Sequence, residues 1–261
     1  MLKALNTAAT GMQAQQTNMD VIANNLANVS TAGFKKSRAE FEDLMYQTSK
    51  EPGQATGLNS VTPVGVQTGL GVRTAAIQKD MTFGNANVTK NPLDVQIEGP
   101  GFFQMLTPDG QIAYTRDGQF KKDASGQIVD KNGNVLQPQI TIPPDAAGVE
   151  IAQSGEVRVT VGNSGEVRQI GQIDVVNFVN PAGLRALGRN LFSQSPASGQ
   201  PITARPGLQG TGYLAQGQVE ASNVNIVDEM VNMITAQRAY ETNSKAVQAA
   251  DQMMQSTNNM R

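Results

Sequence analysis

The sequence predicts an α+β protein in which long N- and C-terminal α-helices pack together as an inner coiled-coil-like layer, with a central antiparallel β-rich domain. Three observations predict it. All twelve prolines lie between Pro52 and Pro206, no glycine follows Gly217, and only Gly11 and Gly33 precede Gly53. An interior proline costs a helix about 3 kcal/mol and a glycine about 1 kcal/mol, so both ends are free to be helical. Apolar residues recur at three-four spacing in the ends, whereas the middle alternates with a period of two between frequent turn residues.

In the first segment Leu2, Leu5, Ala9, Met12, Gln16, Met19, Ala23 and Leu26 form the stripe, widened by Ile22 and Val29. A helix over roughly residues 2–30 follows, about 40 Å long. Its other face is unusual: before Lys35 the only charged residues are Lys3 and Asp20, and Asn, Gln, Thr and Ala fill the remaining positions. Small uncharged polar side chains permit close approach without desolvating charge, so this face is also expected to meet protein.

Residues 47–72 are rich in Gly, Thr, Ser and Pro with neither period, the character of a linker or extended arm. The β unit is expected from about Asp94 to Phe192. Pro108-Asp109-Gly110 makes a turn because proline presets φ and glycine accepts a positive one. Asp117-Gly118, Ser125-Gly126, Asn132-Gly133, Ser154-Gly155 and Ser164-Gly165 repeat that punctuation, and Val157, Val159 and Val161 alternate with Arg158 and Thr160. Ser-Gly-Glu-Val-Arg occurs at 154–158 and again at 164–168, two similar turn-strand starts. Residues 193–212 repeat the arm-like composition on the return path.

A second helix is expected from about Asn223 to about Ser256, with Asn223 or Asn225 as its cap and Asp228 and Glu229 at the favourable end of its dipole. Its stripe runs through Ile226, Met230, Met233, Gln237, Tyr240, Ser244, Val247 and Met254. Seams interrupted by Gln16, Gln237 and Ser244 make a weak coiled coil, so each helix needs the other and further neighbours.

Composition narrows the function. Cysteine and histidine are absent, which removes disulfides, thiolate chemistry, histidine bases and the common zinc sites. The net charge of −2 without a basic cluster argues against a nucleic-acid partner. The amino terminus is broken by polar residues before a signal-peptide core develops, and no run approaches the length of a membrane span. Carboxylates are the remaining catalytic option: Glu40, Glu42 and Asp43, or Asp94 and Glu98. Each is read as a solvated charge group. Gly99-Pro-Gly101 and Gly207-Leu-Gln-Gly210-Thr-Gly212 precede no helix that would hold a phosphate, and are read as turns. No catalytic residue, metal site or cofactor is expected.

The sharpest string is Ala23-Asn24-Asn25-Leu26-Ala27-Asn28-Val29-Ser30-Thr31-Ala32-Gly33-Phe34-Lys35. Leu26 completes the stripe, Asn28 to Thr31 end the helix, Gly33 supplies a permissive backbone and Phe34 anchors the exit. The string resembles the N-terminal signature of the bacterial flagellar rod and hook proteins, ANNLANxxTxGFK, at every fixed position. Ser222-Asn-Val-Asn, Val231-Asn-Met-Ile, Gln237-Arg-Ala-Tyr-Glu and Asn243-Ser-Lys-Ala-Val resemble that family's C-terminal helix, and Gly101-Phe-Phe-Gln and Tyr114-Thr-Arg-Asp-Gly its β-domain. Overall length, the segment 47–72 and the Gln-Arg-Ala-Tyr-Glu string are most similar to the members that build the distal part of the rod.

The resemblance implies a structural subunit that self-assembles helically into a hollow shaft transmitting torque from motor to hook. The terminal helices, residues 1–46 with 222–261, would be its inner layer. Residues 47–93 with 193–221 would form an extended arm and connecting region, within which segment 47–72 is expected to wedge against adjacent copies and stiffen the shaft, and residues 94–192 the outer β domain. Implied partners are further copies of the chain, the proximal rod proteins, the hook protein, the surrounding envelope rings and the flagellar type III export apparatus. The implied location is the periplasmic part of the basal body, reached without a cleaved signal peptide. The expected assembly interface comprises Leu2, Leu5, Met12, Met19, Ile22, Asn24, Asn25, Leu26, Asn28 and Phe34 at one end. At the other it comprises Met230, Met233, Ile234, Gln237, Tyr240, Val247 and Met254. A second reading stays open: an extracytoplasmic β-domain that binds or hydrolyses glycan, with helices that only oligomerise it.

Overall fold

Two helices bracket the chain. In a computed structural model, which describes residues 2–53, 55–57, 60–61, 63–162 and 166–259, α1 spans Leu2–Ala27 and α2 spans Ile226–Asn259. The first helix ends where Asn28 begins a turn, with Thr31 N–H donating to the Asn28 carbonyl at 3.1 Å and Gly33 at φ 68°. Asn225, not Asn223, caps α2: its Oδ1 accepts the Val227 N–H at 3.1 Å, and Asp228 and Glu229 occupy the first turn. Helix α2 runs three residues beyond the expected Ser256 because nothing after it breaks a helix.

The chain divides into two compact units. The first comprises Met1–Ala27, Ser37–Lys79 and Asn225–Arg261. Here α1 packs against α2 and also against a two-stranded ribbon of Ser37–Asp43 and Val72–Lys79. Beyond it Tyr46–Lys50 pairs with Val66–Gly69 and Ala55–Gly57 with Ser60–Val61. Residues 46–50 and 66–68 are exposed throughout. A hairpin exposed on both faces has no core to force an alternating pattern, which is why none appears between residues 47 and 72.

The second unit comprises Asn28–Lys36 and Asp80–Val224. Its centre is a seven-stranded antiparallel sheet in the order Lys121–Lys122, Ile128–Val129, Val135–Gln137, Phe103–Leu106, Ile112–Thr115, Leu191–Ser193 and Arg185–Gly188. A three-stranded sheet, Ala146–Ile151, Glu156–Val161 and Glu166–Gln172, supplies Ile151, Val157 and Val159 to the same core. The Pro108-Asp109-Gly110 turn closes its hairpin as expected, with Gly110 at φ 75° and its N–H bonded to the Thr107 carbonyl at 2.9 Å. The Ser164–Gly165 turn lies outside the described residues.

Two apolar clusters hold this unit. The larger joins Val95, Phe103, Met105, Phe120, Leu136, Ile140, Val157, Ile173 and Leu214, with Phe103 and Phe120 edge-to-face at 5.0 Å. The smaller is aromatic: Phe102, Tyr114, Phe178 and Phe192, with ring centroids 4.9–5.9 Å apart. Fully burying one such side chain stabilises the fold by about 1.5–3 kcal/mol. Six of the twelve aromatic side chains lie in these two clusters, so they carry much of the unit's core. Gly101 shows how close the packing is: a Cβ there would stand 2.1 Å from Val175 Cγ1, so the glycine of Gly99-Pro-Gly101 admits a neighbouring strand rather than an anion.

Candidate functional site

The helix pair meets through small and polar residues. On α2 the positions turned inward are Glu229, Met233, Ala236, Ala239, Asn243, Ser244, Val247, Ala250 and Met254, three or four residues apart except for the adjacent Asn243 and Ser244. On α1 the buried ones are Ala14, Val21, Ile22 and Asn25. Gly11 permits close approach, since a Cβ there would lie 3.0 Å from Asn243 Nδ2. The stripe read from the sequence is thus off by one position in part of α2. Glu229, Ala236 and Ala239 turn inward where Met230, Gln237 and Tyr240 were expected, while Ser244 is half-buried as expected with Asn243 beside it, because small side chains let the helices draw together and Glu229 has a partner in Asn25.

Of the expected interface residues, Ile22 and Asn25 are buried within the chain, and Leu5, Met12, Met19, Leu26, Asn28, Phe34, Met233, Val247 and Met254 are half-buried. Asn24, Met230, Ile234, Gln237 and Tyr240 are exposed, and the side chain of Leu2 lies outside the described residues. The first turns of α2 leave a contiguous apolar face uncovered. Ile226, Val227, Met230, Val231 and Ile234, at spacings that share one side of a helix, are between 47% and 67% exposed.

The Ala23–Lys35 string does two separate jobs. In the first unit Asn25 Nδ2 donates to the Ser37 carbonyl at 2.8 Å, its Oδ1 accepts the Ser37 N–H at 2.8 Å, and Nδ2 also reaches Glu229 Oε2 at 3.4 Å. In the second unit the string ends on a buried ionic node. Lys35 Nζ lies 2.6 Å from Glu220 Oε1 and 2.7 Å from the Thr82 carbonyl. Arg116 donates from one nitrogen to Glu220 Oε2 at 3.2 Å and from the other to the Gly99 carbonyl at 2.7 Å. The Lys35 and Glu220 side chains are each 1% exposed and that of Arg116 3%.

Two cations therefore share one carboxylate out of water. Gly84 N–H adds a third contact to the Glu220 carboxylate at 2.9 Å, and the Phe83 and Phe102 rings lie 5.3 and 5.4 Å from the guanidinium. Aromatic faces supply the negative potential that a second carboxylate would otherwise provide. Burial pushes the Lys35 ammonium below its ordinary pKa, against the pull of Glu220, and lowers Arg116 in the same way. Gly33 is required here on two grounds. Its φ is 68°, and a Cβ would come within 2.7 Å of the Arg116 and Asp117 backbone.

This node was not legible as a site. Lys35 and Arg116 stand inside strings singled out for other reasons, and Glu220 stands in none. The carboxylates considered for chemistry are placed individually instead. Glu40 pairs with Arg38 at 2.9 Å, Glu42 with Arg73, Asp94 accepts from Asn91 at 2.9 Å, and Glu98 from Gln218 at 3.1 Å. Among the described residues, no helix is long and apolar enough to cross a membrane.

Comparison with known proteins meets this architecture at three points. Residues 5–35 match the family model described as flagella basal body rod protein, residues 96–167 the flagellar hook protein FlgE/F/G D1 domain, and residues 215–260 the flagellar basal body rod FlgEFG protein C-terminal region. All three describe the rod and hook class of flagellar proteins. Flagellar basal-body rod protein FlgG of Buchnera aphidicola subsp. Schizaphis graminum is 51% identical over 98% of both chains. That of Borreliella burgdorferi is 49% identical over 100% of this chain and 99% of its own, and that of Bacillus subtilis 39% over the whole of both. The chain belongs to the FlgG family of flagellar basal-body rod proteins.

Proposed function

We propose that this chain is a structural subunit of the bacterial flagellar basal body, assembling helically with copies of itself into the hollow distal rod that carries torque from motor to hook. Family membership sets the class, and the uncovered face of α2 is the observation that carries the assembly. Five large apolar side chains on one side of a helix that belongs to the matched C-terminal region leave substantial apolar area in water. Full burial of such a side chain is worth about 1.5–3 kcal/mol, and covering the roughly half that remains exposed on each gives about half of that, a sizeable drive when repeated at every subunit. A single contact repeated without closure builds a helix of subunits.

In this reading residues 1–46 with 222–261 form a coiled-coil-like inner layer, and Leu2, Leu5, Met12, Met19, Asn24, Met233, Gln237, Tyr240, Val247 and Met254 join the uncovered face in its contacts. Residues 47–93 with 193–221 act as arm and connection, and 94–192 as the outer layer. The neighbours are proximal rod proteins, hook protein and envelope rings, and the subunit reaches the periplasm through the flagellar export apparatus. The working part is structural, not catalytic. The test is Ile234→Asp and Met230→Asp in the full chain. Each is expected to keep the thermal melt of the monomer and to abolish rod assembly and motility; either variant polymerising and swimming like the parent overturns the reading.

A further inference from the structure

Segments 33–36 and 220–223 are fastened together within the β-rich unit. Gly33 N–H donates to the Glu220 carbonyl at 2.8 Å, Lys36 N–H donates to Asn223 Oδ1 at 2.7 Å, and Lys35 Nζ reaches the Glu220 carboxylate at 2.6 Å. A third strip closes on both: Asp80 N–H donates to the Lys36 carbonyl at 2.8 Å and Ala221 N–H to the Asn85 carbonyl at 2.8 Å. The first of these segments continues from α1, and the second continues into α2.

Backbone hydrogen bonds alone would hold the strips together. Burying three charges adds little to stability, because desolvation offsets the attraction and apolar residues of similar volume often serve as well or better. What the charges add is intolerance of misalignment. If either segment slipped by one residue, Lys35 or Glu220 would turn away and leave a charge inside without its partner, which an apolar trio would tolerate.

We propose that Lys35, Arg116 and Glu220 are a register clasp: they admit one alignment of the incoming and outgoing segments and so fix the residue at which α1 ends and the one at which α2 begins. The consequence for assembly rests on the rod reading above, since stacked copies must all end α1 and start α2 at the same points.

Lys35→Met in the full chain tests this, because it leaves Glu220 and Arg116 as a balanced pair and the unit folded. Hydrogen exchange is read on the dilute chain at the Gly33, Lys36 and Ala221 amides, with Val176 N–H, bonded to the Phe102 carbonyl at 2.9 Å, as internal reference. The three are expected to exchange about tenfold faster or more while Val176 is unchanged. Exchange within about twofold of the parent, or Val176 accelerating equally, overturns the clasp. The trio Lys35→Met, Arg116→Met, Glu220→Leu should melt as high as the parent or higher yet lose the same protection. A trio that fails to fold, or that stays fully protected, also overturns it. A Lys35→Met chain that exchanges faster yet swims normally removes the clasp from assembly and leaves the rod reading intact. An Ile234→Asp chain that polymerises does the reverse.

Discussion

Replacing Glu220 with glutamine changes almost no volume and removes the carboxylate that both Lys35 and Arg116 contact. Glu220 accepts from Lys35 at 2.6 Å, Arg116 at 3.2 Å and Gly84 N–H at 2.9 Å. The amide keeps one acceptor oxygen but turns an NH2 toward a cation. The two buried cations then share no carboxylate, and of the two the Asp80 charge acts on Lys35 alone. Breaking a buried pair from one side costs about 3–5 kcal/mol. At about 2–4 °C per kcal/mol for a unit of this size, the melt should fall by roughly 6–20 °C. Domains are stable by only about 5–15 kcal/mol, so the loss is a large fraction of the total. Lys35→Met removes one of the two competing cations and should lose much less. The assay is far-UV circular dichroism on dilute chain. A Glu220→Gln melt within about 2–4 °C of the parent, the equivalent of about 1 kcal/mol, refutes the account of the node.

Gly33→Ala should destabilise by more than about 1 kcal/mol, because φ is 68° and the new Cβ meets backbone at 2.7 Å that no side-chain rotation relieves; urea unfolding reads it. Asn225→Ala removes the cap of α2 and should cost about 1 kcal/mol, seen as a lower melt of the helical signal. Acid behaviour separates two aspartates. Desolvation raises the Asp80 carboxyl, but its bonds to Thr82 and Lys36 outweigh this and hold it below the ordinary 3.8. It therefore contributes stability that is present above that pH and lost as pH falls through its folded value, and Asp80→Asn should destabilise at neutral pH but not in strong acid. Desolvation raises Asp174 from 3.8 against the pull of Arg205, so its ionisation opposes folding as pH rises through that window. Asp174→Asn should stabilise at neutral pH and change nothing well below the ordinary carboxylate range, measured by denaturation across pH.

Much of this architecture was legible because helix and strand impose different periods locally. The absence of proline and glycine located both helices, and Pro108-Asp109-Gly110 located a hairpin. The inward face of α2 was less legible. Hydropathy favours Met230 and Ile226, but the chain turns Ala236 and Asn243 inward and leaves the larger residues out, a choice set by how closely two helices approach. The ionic node was illegible for another reason. Lys35 and Glu220 are 185 residues apart, and nothing local to either marks it as buried. Long-range pairing of single charges leaves no periodic trace in one sequence.

Asn25 offers Ser37 both a donor and an acceptor, each at 2.8 Å. Its carboxamide takes the place of a peptide group, so the ribbon gains an extra rung from a helix side chain where no third strand exists. Aspartate has the acceptor without the donor, and leucine has neither. The second asparagine of the signature is thus held to its identity by a piece of main-chain mimicry, whatever neighbours the subunit later meets.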